Sequence, residues 1–209
     1  MGKPDKHLIN GKELYSGFIK SPIEETSYLS STGFEGDGQA DLKNHGGEDK
    51  AVLGYALNHY SYWENTYNRK FAIPSFGENI TVDGLTEKET YIGDVYKLGG
   101  ATIQVSQPRK PCYKIAEVHQ IKEIPAAVTE TGFSGYYFRV LEEGHVHHSD
   151  TLELVEQDSF KVSISYIYEV LYHRKHGIEG MDRILEAEAL ANSLSQSIIK
   201  KRRKIMSQK

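Results

Sequence analysis

Tyr91-Ile-Gly-Asp-Val-Tyr-Lys-Leu98, Gly99-Gly100 and Ala101-Thr-Ile-Gln-Val-Ser106 form one continuous stretch. From Ala101 onward, apolar and polar side chains alternate. Ala101, Ile103 and Val105 face one way; Thr102, Gln104 and Ser106 face the other. A period of two marks a half-buried β-strand. The two glycines before it supply the backbone freedom of a tight hairpin, so residues 91–98 read as the partner strand. Working outward, short strands broken by glycine turns fill the chain to about Val155. Residues 135–141 (Gly-Tyr-Tyr-Phe-Arg-Val-Leu) and 151–155 flank a polar turn and are expected to pair antiparallel. Residues 58–65 and 115–121 read as helical. Many short strands at this spacing predict a barrel or sandwich.

The pattern changes after about Ser159. Phe160, Ile164, Ile167 and Leu171 recur at helical spacing. After a break at Gly177 and Gly180, the residues Ile184, Leu185, Leu190, Leu194 and Ile198 predict a second helix, supported by the propensity of Ala187, Ala189 and Ala191. The chain thus divides into a β domain, 1–158, and a C-terminal helical extension, 159–209. The extension carries no evident ligand and is expected to stand outside the chemistry, packed on the barrel or on a second subunit, which makes a homodimer one expectation. Its basic run, residues 200–204, reads as a solvated helix end facing the negative pole of the macrodipole.

Composition narrows the function classes. The 209 residues suffice for a core without disulfide staples. Lys and Arg total 25 against 29 Asp and Glu, net −4, which argues against a dedicated nucleic-acid binder. No apolar run is long enough for a membrane helix, and the first residues lack the apolar centre of a signal peptide. With one free cysteine, a cytoplasmic location is expected.

That cysteine, Cys112, lies in Gln107-Pro-Arg-Lys-Pro-Cys-Tyr-Lys114. The prolines make the segment a stiff loop. Arg109, Lys110 and Lys114 surround the thiol, and nearby positive charge favours the thiolate, which is both nucleophile and soft-metal ligand. Residues 33–52 are dense in glycine and charge, with Gly36, Gly38, Gly46 and Gly47 interleaved with Asp37, Asp41, His45 and Lys50. They match neither the Rossmann nor the P-loop spacing. His145, His147 and His148 have no acidic pattern tying them to a metal and read as exposed turn residues.

Four motifs in order, Gly36-Asp-Gly-Gln-Ala-Asp-Leu-Lys-Asn-His-Gly-Gly47, Phe76-Gly-Glu-Asn-Ile-Thr81, Ile92-Gly-Asp94 and Gln104-Val-Ser-Gln-Pro-Arg-Lys-Pro-Cys112, resemble the MOSC domain, the C-terminal domain of molybdenum cofactor sulfurases. With the following Thr131-Gly-Phe-Ser-Gly-Tyr-Tyr-Phe-Arg-Val-Leu141, they are most similar to the stand-alone bacterial YiiM-like subfamily. Phe133 and Tyr136 stand where tryptophans are expected. The resemblance implies a mainly β fold: a strongly bent antiparallel β-barrel with a C-terminal α-helical appendage. It implies molybdenum cofactor (molybdopterin), with Cys112 as catalytic residue and metal ligand. Arg109, Lys110 and Arg139 are implied at the pterin phosphate or the site mouth, and His45, Gly46, Gly47 and Asn79 in the pocket lining. The pyridoxal-phosphate domain of the larger sulfurases does not fit in this length. The activity implied is reduction of a small N-hydroxylated molecule such as a hydroxylaminopurine; the alternative is a non-enzymatic carrier of the cofactor, or of sulfur as a Cys112 persulfide. A reductase needs an external electron donor, a flavoprotein or small redox protein. One cysteine cannot hold an iron–sulfur cluster, and no nucleotide-binding glycine motif is present.

Overall fold

The structure is a computed structural model that describes residues 1–208. Its centre is a six-stranded mixed sheet. The strands that build it are β5 (Val52–Ala56), β6 (Ile80–Val82), β7 (Val95–Leu98), β8 (Ala101–Pro108), β9 (Tyr136–Glu142) and β11 (Leu152–Glu156), ordered β11-β7-β8-β9-β5-β6. The β7–β8 hairpin closes at Leu98↔Ala101 as the paired glycines predict. Ala101, Ile103 and Val105 are fully buried. The first strand is shorter than expected: Tyr91 makes only an isolated bridge to Ser163.

Two small sheets flank this one. The hairpin of β1 (Asp5–Ile9) and β2 (Lys12–Ser16) stands by itself, and β3 (Ser27–Ser30) lies between β4 (Gly33–Phe34) and β10 (Gly144–Val146). Irregular register between Thr102 and Ile103, and between Val105 and Gln107, bends β8. The bent sheet meets β10 where the Gly100 amide donates to the His145 carbonyl, 2.8 Å. Gly144 is required there, because a Cβ would lie 2.4 Å from the Gly100 carbonyl carbon.

Several expectations need correction. Residues 136–142 and 152–156 share a sheet but do not pair, since β7 and β8 lie between them. The intervening β10 carries the chain to β3 before it returns as the partner of β7. One pair, β5–β6, is parallel. Parallel neighbours need a crossover, and α2 (Asn58–Tyr67) provides it. After α3 (Lys114–His119), a further helix not anticipated from periodicity, α4 (Ile124–Thr131), ends at Gly132 in the left-handed region, φ 75°. The C-terminal segment holds three helices, α5 (Ile164–Leu171), α6 (Gly177–Leu185) and α7 (Asn192–Met206). Gly177 and Gly180 fall inside α6 instead of breaking the chain before it. Phe160 lies ahead of α5 and is exposed.

Two cores hold the molecule together. In the larger, Val52, Ile103, Val105 and Phe138 of the sheet pack with Ile164, Ile167, Met181, Ile184 and Ile198 of the C-terminal helices. The smaller is aromatic: Tyr55, Tyr60, Trp63, Phe71 and Phe76 under Ile115, Ile124 and Val128. Each fully buried side chain of this size contributes roughly 1.5–3 kcal/mol. No described helix is long and apolar enough to cross a membrane.

Candidate functional site

Proline has no amide hydrogen, so the β8–β9 ladder stops at Pro108↔Tyr136. The next residue, Arg109, donates its amide to the Gly135 carbonyl, 3.0 Å. The chain then turns through Lys110 and Pro111 to Cys112, whose carbonyl accepts from the Ile115 amide at the entry to α3, 3.2 Å. This turn forms one wall of a cleft of about 70 Å³ that opens to solvent. Segments distant in sequence close it: Phe18 and Lys20 beyond β2, residues 38–41 and His45 around α1 (Leu42–His45), Lys50, Asn79, Lys114 and Tyr137.

Arg109 is 3 % exposed. Its guanidinium lies 5.7 Å from the centroid of the Phe18 ring, and among the described residues it has no carboxylate or hydrogen-bond acceptor. Its nitrogens are not among the fully buried unpaired atoms of the described side chains, so the guanidinium meets the solvent of the cleft, where an anion could pair with it without displacing a protein carboxylate. Lys20 differs: its ammonium is buried against Asp37, 2.6 Å. The same carboxylate accepts from Asn79 Nδ2, 2.7 Å, and Asn79 Oδ1 accepts from the Leu53 amide, 3.0 Å. Asn79 is therefore fixed at both ends of its amide. Lys114 donates to the Tyr15 carbonyl, 3.2 Å, while lining the cleft.

The positive field is visible in His45. Burial chiefly, then the charges of Arg109, Lys114 and Lys50, hold its imidazole below the ordinary histidine range against the opposing pull of Asp41. Burial pushes the Tyr137 hydroxyl up, with Arg109 pulling it back and Cys112 adding to the rise.

Of the residues expected at the site, Cys112, Arg109, His45 and Asn79 line the cleft together. The others lie outside its lining. Lys110 is exposed. Arg139 Nε donates to Asp49 Oδ1, 2.8 Å, and Nη1 to Gln104 Oε1, 2.9 Å. It thereby anchors the 3₁₀ turn Glu48–Lys50, which positions Lys50. Gly46 and Gly47 form the turn leading there; Gly47 has φ 99°, and a Cβ on Gly46 would lie 2.7 Å from the Leu42 carbonyl oxygen. Phe18, Lys20 and Tyr137 were missed by sequence reasoning, since no local pattern ties them to a loop some 90 residues downstream of the first two. Among the described residues no group of three metal-ligating side chains occurs, at the histidine turn or elsewhere. His147 Nδ1 bonds Ser149 and His148 Nδ1 meets the Glu24 carbonyl.

The site fits the group that the MOSC resemblance implies. An unpaired buried guanidinium among further cations suits an anionic pterin phosphate. A half-buried thiol beside it suits a soft metal.

Comparison with known proteins places this geometry in a family. The MOSC domain pattern matches residues 41–153, and a YiiM-like 3-alpha helix domain matches residues 162–204. The chain is 43 % identical to YflK of Bacillus subtilis (strain 168), over 99 % of this chain and 93 % of that protein. It is similar to the crystal structure of YiiM from Geobacillus stearothermophilus, with TM-score 0.80 and 36 % identity over 96 % of this chain and 95 % of the other. A protein named as a reductase in Gibberella moniliformis (strain M3125 / FGSC 7600) is 32 % identical over 78 % of this chain, which covers 30 % of that longer protein. By its domain pattern, its helical extension and its relatives, the chain belongs to the MOSC domain family, in the YiiM-like branch.

Proposed function

We propose that this protein binds molybdenum cofactor and reduces N-hydroxylated compounds, such as hydroxylaminopurines, to the corresponding amines. The observation that carries the reading is the Arg109 guanidinium, which forms no ion pair among the described residues, in the same cleft as the only thiol. Similarity to a reductase supports the class of chemistry.

The overall reaction is R–NH–OH plus two electrons and two protons giving R–NH₂ and water. When bound, the molybdenum centre supplies two-electron redox chemistry that no amino-acid side chain provides. Cys112 Sγ ligates the metal. Arg109 pairs with the cofactor phosphate through its planar fork, and Lys50 and Lys114 add positive charge around it. Asn79, fixed by Asp37 and Leu53, holds the wall of the cleft in one conformation. Burial first, and then the charges of Arg109, Lys114 and Lys50, disfavour a proton on His45, so a bound anion that offsets those charges makes it easier for a ring nitrogen to take one up. Electrons come from an external flavoprotein or small redox protein.

The test is elemental analysis and turnover of protein purified from a host that makes the cofactor. Stoichiometric molybdenum is expected, with reduction of a hydroxylaminopurine supported by dithionite or a reductase system and none with NAD(P)H alone. Protein that holds molybdenum but turns over no N-hydroxylated compound with dithionite sinks the reductase reading and leaves a carrier.

A further inference from the structure

The guanidinium of Arg109 faces the cleft, but its position is set through its backbone. That backbone is held by a line of hydrogen bonds beginning in the C-terminal helices. The Ser165 amide, in the first turn of α5, donates to the Glu87 carbonyl, 2.8 Å. The Glu87 carboxylate points the other way. Its Oε1 accepts from the Gly135 amide, 2.7 Å, and its Oε2 meets Nε2 of His59 in α2, 2.6 Å. The Gly135 carbonyl then accepts both the Arg109 amide, 3.0 Å, and the Ser134 hydroxyl, 2.8 Å.

Nothing in this line has slack. Glu87 and His59 are each 4 % exposed. The His59 ring stacks on Phe133 with centroids 3.8 Å apart. Gly135 has φ 75°, and a Cβ there would lie 2.6 Å from the Gly54 carbonyl oxygen, so the turn is pressed against β5. A carboxylate is an expensive group to bury, and an apolar side chain would fill the same space at lower cost. What an apolar side chain could not supply is a fixed acceptor for the Gly135 amide.

We propose that Glu87 is a positioning residue for Arg109. Through it, His59 and helix α5 fix the 132–135 turn and hence the direction in which the guanidinium enters the cleft. The inference rests on the reading of Arg109 as an anion site. The helical extension, expected to stand outside the chemistry, then serves the site without lining it.

The test uses the full-length chain and inorganic phosphate at one pH, with affinity by calorimetry and thermal unfolding in parallel. Arg109→Ala comes first. If phosphate binding does not depend on Arg109, the anion-site reading fails, whatever Glu87 does. Given that dependence, Glu87→Ala is expected to weaken phosphate binding by about tenfold, the scale of one coupled contact. Glu87→Gln, whose amide oxygen still accepts from Gly135, should stay within about threefold of wild type. In an Arg109→Lys background the Glu87→Ala loss should shrink, because a flexible point charge gains less from a fixed backbone direction. A purely structural Glu87 would lower the unfolding temperature and leave phosphate affinity alone, or change it equally in both backgrounds; either result overturns the proposal. If Glu87→Ala does not fold, Glu87→Asp carries the test, its shorter side chain withdrawing the acceptor from Gly135. A several-fold loss supports the proposal, and wild-type affinity in folded Glu87→Asp overturns it.

Discussion

Arg109 and Arg139 belong to neighbouring strands, one just past the end of β8 and one within β9, yet they do different work. Arg139 lies opposite Gln104 in the ladder and is met by Asp49, so two protein acceptors already hold its guanidinium. Arg109 lies one residue past the last ladder pair, where no acceptor among the described residues bonds its side chain. It is the more deeply buried of the two. A cation with a resident counter-ion is part of the scaffold. A cation without one, facing an open cleft, can pair with an anion that arrives there. The residue type is the same at the two positions; the neighbours in space are not.

The largest expected effect is at the thiol that shares the cleft with Arg109. Cys112→Ser substitutes a harder, rarely ionised oxygen for sulfur. The variant should fold as wild type and retain almost no molybdenum by elemental analysis. Wild-type metal content would take Cys112 out of the coordination shell.

Next, the two arginines can be set against each other directly. Arg109→Ala should weaken phosphate binding by about 1.5–3 kcal/mol, the scale of a hydrogen bond to a charged group. Arg139→Ala should leave that affinity within about twofold and lower stability by about 1 kcal/mol, because its ion pair with Asp49 is only partly shielded from water. Equal losses of affinity in a titration of both variants would erase the distinction between them.

A smaller effect concerns pH. The folded His45 pKa lies below its ordinary value of 6.5, so between the two values the unfolded chain binds more protons. Stability from this group is complete above about pH 6.5 and falls as pH drops below it. His119, also shifted down, mainly by burial, contributes with the same sign, so a stability profile reports both. Anion affinity is more selective. A bound anion favours protonated His45, so sulfate, whose charge is constant over this range, should bind more tightly as pH falls from 7 to 5. His45→Gln should flatten that dependence; a slope unchanged in the variant assigns the proton elsewhere.

The smallest effect is expected at Lys110. It is exposed and outside the cleft lining, so Lys110→Ala should change phosphate affinity by less than about 0.5 kcal/mol, and only at low salt. A loss as large as that of Arg109→Ala would show that the 107–114 loop adopts another arrangement when the anion binds.

Much of the fold was legible because the relevant signals are local. Alternation at Ala101–Ser106 and the Gly99-Gly100 turn specify a hairpin whatever surrounds them, and the apolar spacing at Ile164, Ile167 and Leu171 specifies helix α5. Pairing beyond nearest neighbours was not legible. Residues 135–141 and 151–155 both read as strands, but two strands of equal pattern do not say whether they pair with each other. The excursion of β10 to β3 separated them. The parallel β5–β6 pair escaped notice for a related reason: β5 is buried along its whole length and shows no alternation.

The sequence by itself determined the β-rich character, the helical C-terminal segment, the stiff loop around Cys112 and, through ordered motifs, the family. Tertiary structure decided which charged residues are available to a ligand. Asp49 neutralises Arg139 across 90 residues of chain, Asp37 neutralises Lys20 across 17, and Glu87 reaches the Gly135 amide across 48. Ion pairing depends on distance and burial in space. Neither quantity is carried by the spacing of residues along the chain, so the same basic side chains that look interchangeable in sequence become anchor, partner or binding site only once the fold has placed their counter-charges.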